Sequence, residues 1–378
     1  MDNNKQARIL FVAPLPPPVH GSAVVSKQIK DSKLINDSFC CDWVNMSTSR
    51  RMDEVGQFAL SKPFRLFASL CKLFGLLLTH RYDLCYLAIT CHGKPFIKDV
   101  PFVLLCKLFG NKIVIHQHNK GMANDVDRWP YRWLLPLCYK NAKVVLLSWY
   151  LYSDIEKVVK KEDVFICPNG IKLKECLKDN KGKSKIRELE KGVPKLLFLS
   201  NLLESKGVIV LLDALKILKD KGVQFYCDFV GGETNEINAK RFNEEVEKRG
   251  IDKIALYHGR KYGEEKERYF KEADIFAFPT YNETFGLVIL EAMQFHLPIV
   301  STNEGGIPDI IQDGINGLIC NKKDPVSLAC CLKRVLEEPD LRKELGTNGH
   351  QKLLKEFTID IFERRMLEIL KELCSREG

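Results

Sequence analysis

Short apolar runs of the kind that form buried strands recur along the whole chain, and helix-length segments separate them. The runs are rich in Val, Ile, Leu and Phe and do not alternate with polar residues, which is typical of parallel strands covered on both faces. The sequence therefore predicts α/β domains with parallel sheets. The predicted strands lie at 7–14, 82–90, 111–118, 142–148, 163–170, 195–201, 225–232, 254–260, 274–279 and 297–302.

A Lys-rich polar stretch at 171–192 separates two similar series of strands and helices. A chain of 378 residues has room for two domains of ordinary size. We predict an N-terminal domain at 1–175 and a C-terminal domain at 190–357. The last segment, 358–378, is predicted to form an amphipathic helix, because its apolar residues recur at helical spacing: Ile359, Phe362, Met366, Ile369, Leu370 and Leu373.

One glutamate, Glu291, stands in the strongly apolar run GLVILEAM. A helix that is apolar on every side is buried. A buried ionised carboxylate is costly unless it is paired or hydrogen-bonded. We therefore expect Glu291 to be buried with a partner, either a neighbouring side chain or a ligand.

The residues before this helix add a second acid and an anion-binding element. Thr284, Phe285 and Gly286 lie where the loop after the strand at 274–279 turns into the helix. A helix N-terminus presents unpaired N–H groups and partial positive charge, which suit a phosphate. Glu283 lies just before the helix and Glu291 about two turns along it. This arrangement fits a ligand with an anionic middle and hydroxylated ends, such as a nucleotide sugar.

The two glutamates are followed by Gly305 and Gly306 and then by DGING at 313–317. This order resembles the motif of family 4 of the retaining glycosyltransferases, and the preceding strand and the strand at 297–302 make the match specific. The resemblance implies the GT-B fold, in which two Rossmann-like domains face each other across an interdomain cleft and the C-terminal helix returns to the first domain. It also implies transfer of a hexose-type sugar, with retention, from a nucleotide-diphosphate sugar to a glycan or lipid-linked acceptor in polysaccharide biosynthesis.

The resemblance also assigns roles in the C-terminal domain. Glu283 matches the acid that binds the hydroxyls of the transferred sugar and is often called catalytic, and Glu291 matches the acid that holds the ribose. Lys206 resembles the lysine that contacts the diphosphate, although a loop lysine is otherwise simply solvated. Thr284, Phe285 and Gly286 complete the sugar and phosphate contacts. We expect no metal or other cofactor.

Three further positions belong to this comparison. Gly21 resembles the N-terminal glycine loop that approaches the donor, and the alternative is an ordinary Pro/Gly turn. His118 resembles a histidine near the sugar and acceptor and joins Glu283 in the predicted catalytic group, whereas His116 is expected to pack deeper. Asn201 stands where the family usually has an arginine, so Arg260 is a candidate replacement, as is the adjacent Lys261.

The net charge of +9 is compatible with a phosphate-bearing substrate, an anionic membrane surface or a basic solvated surface. No nucleic-acid motif accompanies it, so nucleic acid is not an expected partner. The 14 cysteines form no CxxC pair and no zinc-type cluster, which favours a reducing cytoplasm. The apolar segment 62–83 is either a core helix or an interfacial helix at the inner membrane face.

Three other functions fit parts of the pattern. A nucleotide-sugar epimerase uses the same two-domain architecture. A non-catalytic membrane-surface protein on this fold would need neither acid. A glycoside hydrolase also uses two carboxylates, but one at a helix tip and one within the helix are poorly placed to flank a glycosidic bond.

Overall fold

The computed structural model describes residues 6–18, 21–48, 61–174 and 192–375. The chain divides into two compact units, which we call unit 1 (residues 1–169 and 359–378) and unit 2 (residues 170–358). The division falls within the PNG turn at Asn169 and Gly170. The predicted boundaries at 175 and 190 lie outside the described residues, as does His20 beside the predicted glycine loop.

Unit 1 contains a six-stranded parallel sheet with the order β2-β1-β3-β4-β5-β6. Five of its strands were predicted, and β2 was missed. The sequence CCDWVN of β2 is that of an edge strand, because most of its residues are partly exposed and Asp42 pairs with Arg8 of β1. The strands are β1 (Arg8–Ala13), β2 (Cys40–Asn45), β3 (Leu84–Leu87), β4 (Ile113–His116), β5 (Ala142–Leu146) and β6 (Val164–Ile166).

Unit 2 contains a second parallel sheet with the order β12-β11-β10-β7-β8-β9. Here too five strands were predicted, and only the three-residue β12 was missed. The strand order reverses between β7 and β10, and α/β sheets bind ligands at the carboxyl ends of the strands that flank such a switch point. The strands are β7 (Lys195–Leu199), β8 (Tyr226–Val230), β9 (Ala255–Tyr257), β10 (Ile275–Phe278), β11 (Ile299–Thr302) and β12 (Leu318–Cys320).

Helices connect the strands of both sheets. In chain order they are α1 (Gly21–Asp31), α2 (Lys33–Ser38), α3 (Ser61–Thr79), α4 (Gly93–Leu108), α5 (Met122–Asp125), α6 (Tyr131–Tyr139), α7 (Val208–Asp220), α8 (Ala239–Lys248), α9 (Gly263–Glu272), α10 (Leu287–Gln294), α11 (Ile307–Ile310), α12 (Pro325–Glu337), α13 (Pro339–Glu356) and α14 (Ile359–Ser375).

The C-terminal helix α14 belongs to unit 1, as predicted. Its buried face, with Phe362, Met366 and Leu370, packs into the same core as Phe11 of β1 and Ile29 of α1. Burying apolar side chains of this size stabilises a fold by roughly 1.5–3 kcal/mol each. The α/β prediction is confirmed in both units.

Among the described residues, no helix combines the length and the apolar character that a bilayer crossing requires.

Candidate active site

Two loops of unit 2 meet beyond the carboxyl ends of β7 and β10. The backbone N–H of Tyr281 donates to the carbonyl oxygen of Ser205 at 2.9 Å. Gly207 has a φ of 86°, and a Cβ at this position would overlap the carbonyl group of Pro279. Glycine is therefore required where the loop after β7 crosses the end of β10. This crossing fixes the two loops together at the switch point.

The crossing places Lys206 beside Glu283. The Lys206 Nζ lies 2.9 Å from Glu283 Oε2 and also donates to the Asn282 carbonyl oxygen at 2.8 Å. The second carboxylate oxygen, Oε1, accepts the backbone N–H groups of Thr284 at 2.9 Å and Phe285 at 3.4 Å. The Lys206 and Glu283 side chains are 20% and 19% exposed, so solvent reaches both. One ammonium and two amides thus converge on one carboxylate.

The structure adds detail to the predicted anion site. The N–H groups of Thr284 and Phe285 are occupied by Glu283 itself. The side chain of Phe285 is 2% exposed and packs edge-on against Phe357, so a ligand contact at this residue would be made by its backbone. The helix α10 begins at Leu287, after Gly286 with a φ of 95°.

Glu291 does not have the predicted environment. It lies just over one turn into α10 rather than two. Its side chain is 35% exposed, so the prediction of a buried carboxylate is wrong. The exposed side of α10 also includes Leu287 and Val288, which are only partly buried. Glu291 does have a partner, because Lys266 of α9 places its Nζ 2.6 Å from Glu291 Oε2.

The two glycines after β11 contact the backbone of the loop that carries Glu283. Gly305 has a φ of 55°, and a Cβ there would overlap the carbonyl oxygen of Glu283. The N–H of Gly306 donates to the carbonyl oxygen of Thr284 at 2.8 Å. The loop after β11 therefore supports the backbone that carries Glu283, and this close approach requires glycine at Gly305.

Arg260 lies against Gly232, whose backbone is bonded to Asn201. Asn201, after β7, accepts the backbone N–H of Gly232 at 3.2 Å. The Arg260 guanidinium, from the loop after β9, packs on Gly232 so closely that a Cβ there would overlap it. Arg260 and Asn201 thus both contact Gly232 in the loop after β8. Sequence order alone does not reveal this contact, since it joins loops that follow three different strands.

The two predicted residues of unit 1 lie at the carboxyl edge of its sheet. Gly21 is the exposed first residue of α1. His118 follows β4 by two residues, and its ring centre is 4.0 Å from that of His116. His116 is fully buried and bonds to the hydroxyl of Tyr86, in agreement with its predicted deeper position. Burial, together with neighbouring His118, lowers the pKa of His116 well below its usual value.

Residues 179–352 match the family model for glycosyl transferases group 1. An uncharacterized glycosyltransferase of Methanocaldococcus jannaschii is 29% identical over 209 residues, which cover 55% of this chain and 54% of that protein. The amylovoran biosynthesis glycosyltransferase AmsK of Erwinia amylovora is 29% identical over 196 residues, 50% of this chain and 47% of AmsK. The chain therefore spans about half the length of these curated relatives.

Among solved structures, HepE of Anabaena in complex with UDP superposes with a TM-score of 0.72 at 17% identity, covering 97% of this chain and 100% of HepE. At this identity the likeness concerns the fold, and it confirms the GT-B prediction. Over residues 179–352, a little under half of its length, the chain is therefore similar to the glycosyl transferases group 1 family.

Proposed function

We propose that this protein is a glycosyltransferase that moves a hexose, with retention of configuration, from a nucleotide-diphosphate sugar to a hydroxyl of a glycan or lipid-linked acceptor. One observation carries the proposal. Lys206 and the amides of Thr284 and Phe285 converge on the carboxylate of Glu283 at the switch point of unit 2. The similarity of residues 179–352 to the glycosyl transferases group 1 family gives this arrangement a chemical context.

The same donors suit a phosphate. A carboxylate and a phosphate both accept from ammonium and amide groups, and charge-assisted bonds of this kind are the strong ones. When the diphosphate takes over Lys206 and the two amides, the Glu283 carboxylate is released to accept hydroxyl groups of the transferred sugar. Glu291 is the proposed partner of the ribose hydroxyls, because its exposed carboxylate retains acceptor sites beside Lys266.

The proposed sugar transfer depends on stabilising the negative charge that develops on the leaving diphosphate. The bond between the anomeric carbon and the β-phosphate oxygen breaks, and a bond forms from the same carbon to the acceptor oxygen. The acceptor proton passes to the departing diphosphate, so no protein nucleophile is required. The Lys206 ammonium stabilises the charge that builds on the leaving group. For Gly21 and His118 we propose the roles that the resemblance implies, contacts with the donor and with the acceptor.

The proposed setting is the synthesis of a polysaccharide on the cytoplasmic side of a membrane, without a metal ion. The amylovoran enzyme supports the polysaccharide assignment. The free cysteines of the described residues support a reducing compartment. Because HepE was solved with UDP, UDP-sugars are the first donors to test.

A thermal-shift panel of UDP-, GDP- and ADP-sugars on the protein and on Lys206→Ala tests the donor site. A ligand that binds only the folded form at one hundred times its dissociation constant adds about 2.7 kcal/mol of stability. We expect one nucleotide class to raise the Tm of the wild type and to lose this effect in Lys206→Ala. A panel without any shift contradicts the proposal, and conversion of the donor without an acceptor would indicate an epimerase instead.

A further inference from the structure

Helix α3 has two apolar stripes where a surface helix normally has one. The inner stripe includes Leu73 and Leu77, which are buried. The outer stripe recurs at spacings of three, seven and four residues and remains open within the described part of the chain. Its large side chains are Phe64 (78% exposed), Phe67 (68%), Phe74 (45%) and Leu78 (62%).

Helix α4 packs beside α3 and continues this surface. Its outward residues Ile97 and Leu108 are 40% and 80% exposed. The two outer faces form an apolar groove of about 570 Å³, within the roughly 300–1,000 Å³ of small-molecule sites. The groove is lined by Phe67, Leu70, Cys71, Phe74, Pro101, Leu104, Leu105 and Leu108.

Helix α6 packs against α4 on its other side and adds aromatic side chains. Trp133 is 64% exposed and Leu137 is 49% exposed, and Trp129, just before the helix, is 80% exposed. The Arg132 guanidinium lies 5.0 Å from the centre of the Trp133 ring. Tryptophan beside a cation is typical of the boundary between hydrocarbon and lipid headgroups.

The charges on these three helices have almost one sign. Their single acid, Asp99, is 2% exposed and lies 3.1 Å from Lys98. Lysine and arginine can extend their charged ends past an apolar surface toward headgroups. The cations are Lys62, Arg65 and Lys72 on α3, Lys94, Lys98 and Lys107 on α4, and Arg132 on α6. Arg65, Lys72 and Lys107 donate to backbone carbonyl oxygens. Lys94 and Arg132 are exposed.

We propose that the outer surface of α3, α4 and α6 docks on an anionic phospholipid bilayer, with the groove between α3 and α4 receiving an acyl chain. Exposed apolar patches of this kind mark interaction sites. Basic residues around apolar ones match the chemistry of an anionic lipid surface. A second copy of the chain fits less well, because a twofold interface would place these like charges against each other. The inference does not depend on the proposed donor chemistry.

Vesicle co-sedimentation tests the surface without any nucleotide. We expect the protein to bind vesicles of phosphatidylcholine mixed with phosphatidylglycerol, and to bind phosphatidylcholine vesicles weakly. Replacing Phe64, Phe67 and Phe74 together by serine should weaken binding at least tenfold, because three large apolar side chains no longer insert into the bilayer. These side chains are exposed, so the variant should keep its Tm.

Two further variants separate the contributions. The charge reversals Lys94→Glu and Arg132→Glu should weaken binding to the anionic vesicles and reduce its sensitivity to salt. The matched control, Val326→Ser with Leu354→Ser, removes exposed apolar side chains from unit 2 and should leave binding unchanged.

Three outcomes overturn the inference. The first is wild-type binding by the phenylalanine variant. The second is equal binding of the wild type to neutral and anionic vesicles. The third is a wild-type dimer that becomes monomeric in the phenylalanine variant while vesicle binding is absent, which would identify a protein interface instead.

Short-chain phosphatidylglycerol, kept below its micelle concentration, tests the groove by itself. It should raise the Tm of the wild type and have no effect on Leu104→Arg, which places a charge among the groove side chains. A lipid that binds both proteins equally, or neither, would show that the groove does not take an acyl chain.

Discussion

Lys206 Nζ lies 2.9 Å from Glu283 Oε2, while Glu283 Oε1 accepts two backbone N–H groups of the following residues. The carboxylate therefore occupies the position where the same donors would meet a phosphate oxygen. If the site binds a nucleotide diphosphate, as proposed, the incoming nucleotide has to displace this carboxylate. A nucleotide sugar can offset that displacement, because its hydroxyls bond to the released carboxylate, whereas a free nucleoside diphosphate cannot.

Glu283→Gln separates binding from transfer. Removing the negative charge beside Lys206 should make free UDP bind more tightly than in the wild type, because the competing anion is gone. Transfer should fall by about 10²–10³-fold, as when another group that stabilises developing charge is removed. Isothermal titration with UDP and initial rates of sugar transfer measure the two effects.

Lys206→Met is the matched comparison, because it removes the cation and keeps most of the side-chain volume. Here both UDP affinity and transfer should fall. Weaker UDP binding in Glu283→Gln would contradict the competition between this carboxylate and the diphosphate.

Glu291 and Lys266 form a partly exposed ion pair, so neither is expected to contribute much to stability. Exposed pairs contribute about 0–1 kcal/mol. Glu291→Ala should raise the KM for the donor roughly tenfold, the effect of about 1.4 kcal/mol of lost binding, with a smaller change in kcat. Lys266→Ala removes the same ion pair but keeps the carboxylate, and it should leave the KM nearly unchanged. Equal KM values in the two variants would argue against a ribose contact at Glu291.

The sequence predicts a structural feature correctly where that feature depends on a single strand and the loop after it. All ten predicted strands are present, because buried parallel strands are continuous apolar runs. The pairing of Lys206 with Glu283 was not predictable in detail, since it depends on Gly207 crossing the end of β10. Glu291 was predicted to be buried because its neighbours in sequence are apolar, but exposure depends on which side of α10 is covered.

Arg260 is the described cation that lies on the Gly232 backbone beside Asn201. If it replaces the missing arginine, Arg260→Ala should weaken UDP binding at least tenfold, since a charge-assisted hydrogen bond contributes roughly 1.5–3 kcal/mol. Lys261→Ala removes an equal charge from the adjacent position and should have a smaller effect. Titration of both variants with UDP checks this, and a larger loss in Lys261→Ala would assign the contact to that lysine.

Gly207→Ala should destabilise unit 2 and displace Lys206. A left-handed backbone costs a residue with a Cβ about 1–2 kcal/mol, and the overlap with Pro279 adds to that cost. We therefore expect a loss of more than about 2 kcal/mol in urea unfolding, together with weaker UDP binding. Gly314→Ala is the control, because Gly314 also has a positive φ, of 74°, but open space around its Cβ position. A similar loss of unfolding free energy in both variants would mean that a small shift of the backbone relieves the overlap with Pro279.

The stacked pair of His296 and His350 should make stability depend on pH. Their ring centres are 3.8 Å apart, and burial, with a contribution from His350, lowers the pKa of His296 from 6.5 to about 4. The folded state therefore favours the neutral ring, and the unfolded chain binds more protons between these values. The stabilising contribution is complete above pH 6.5 and is lost as the pH falls toward about 4. His296→Asn removes the titrating ring while tolerating the left-handed φ of 55°. Urea unfolding across this range should show a smaller loss of stability in the variant than in the wild type. If the unfolding free energies of the two proteins change in parallel with pH, His296 is not the group responsible.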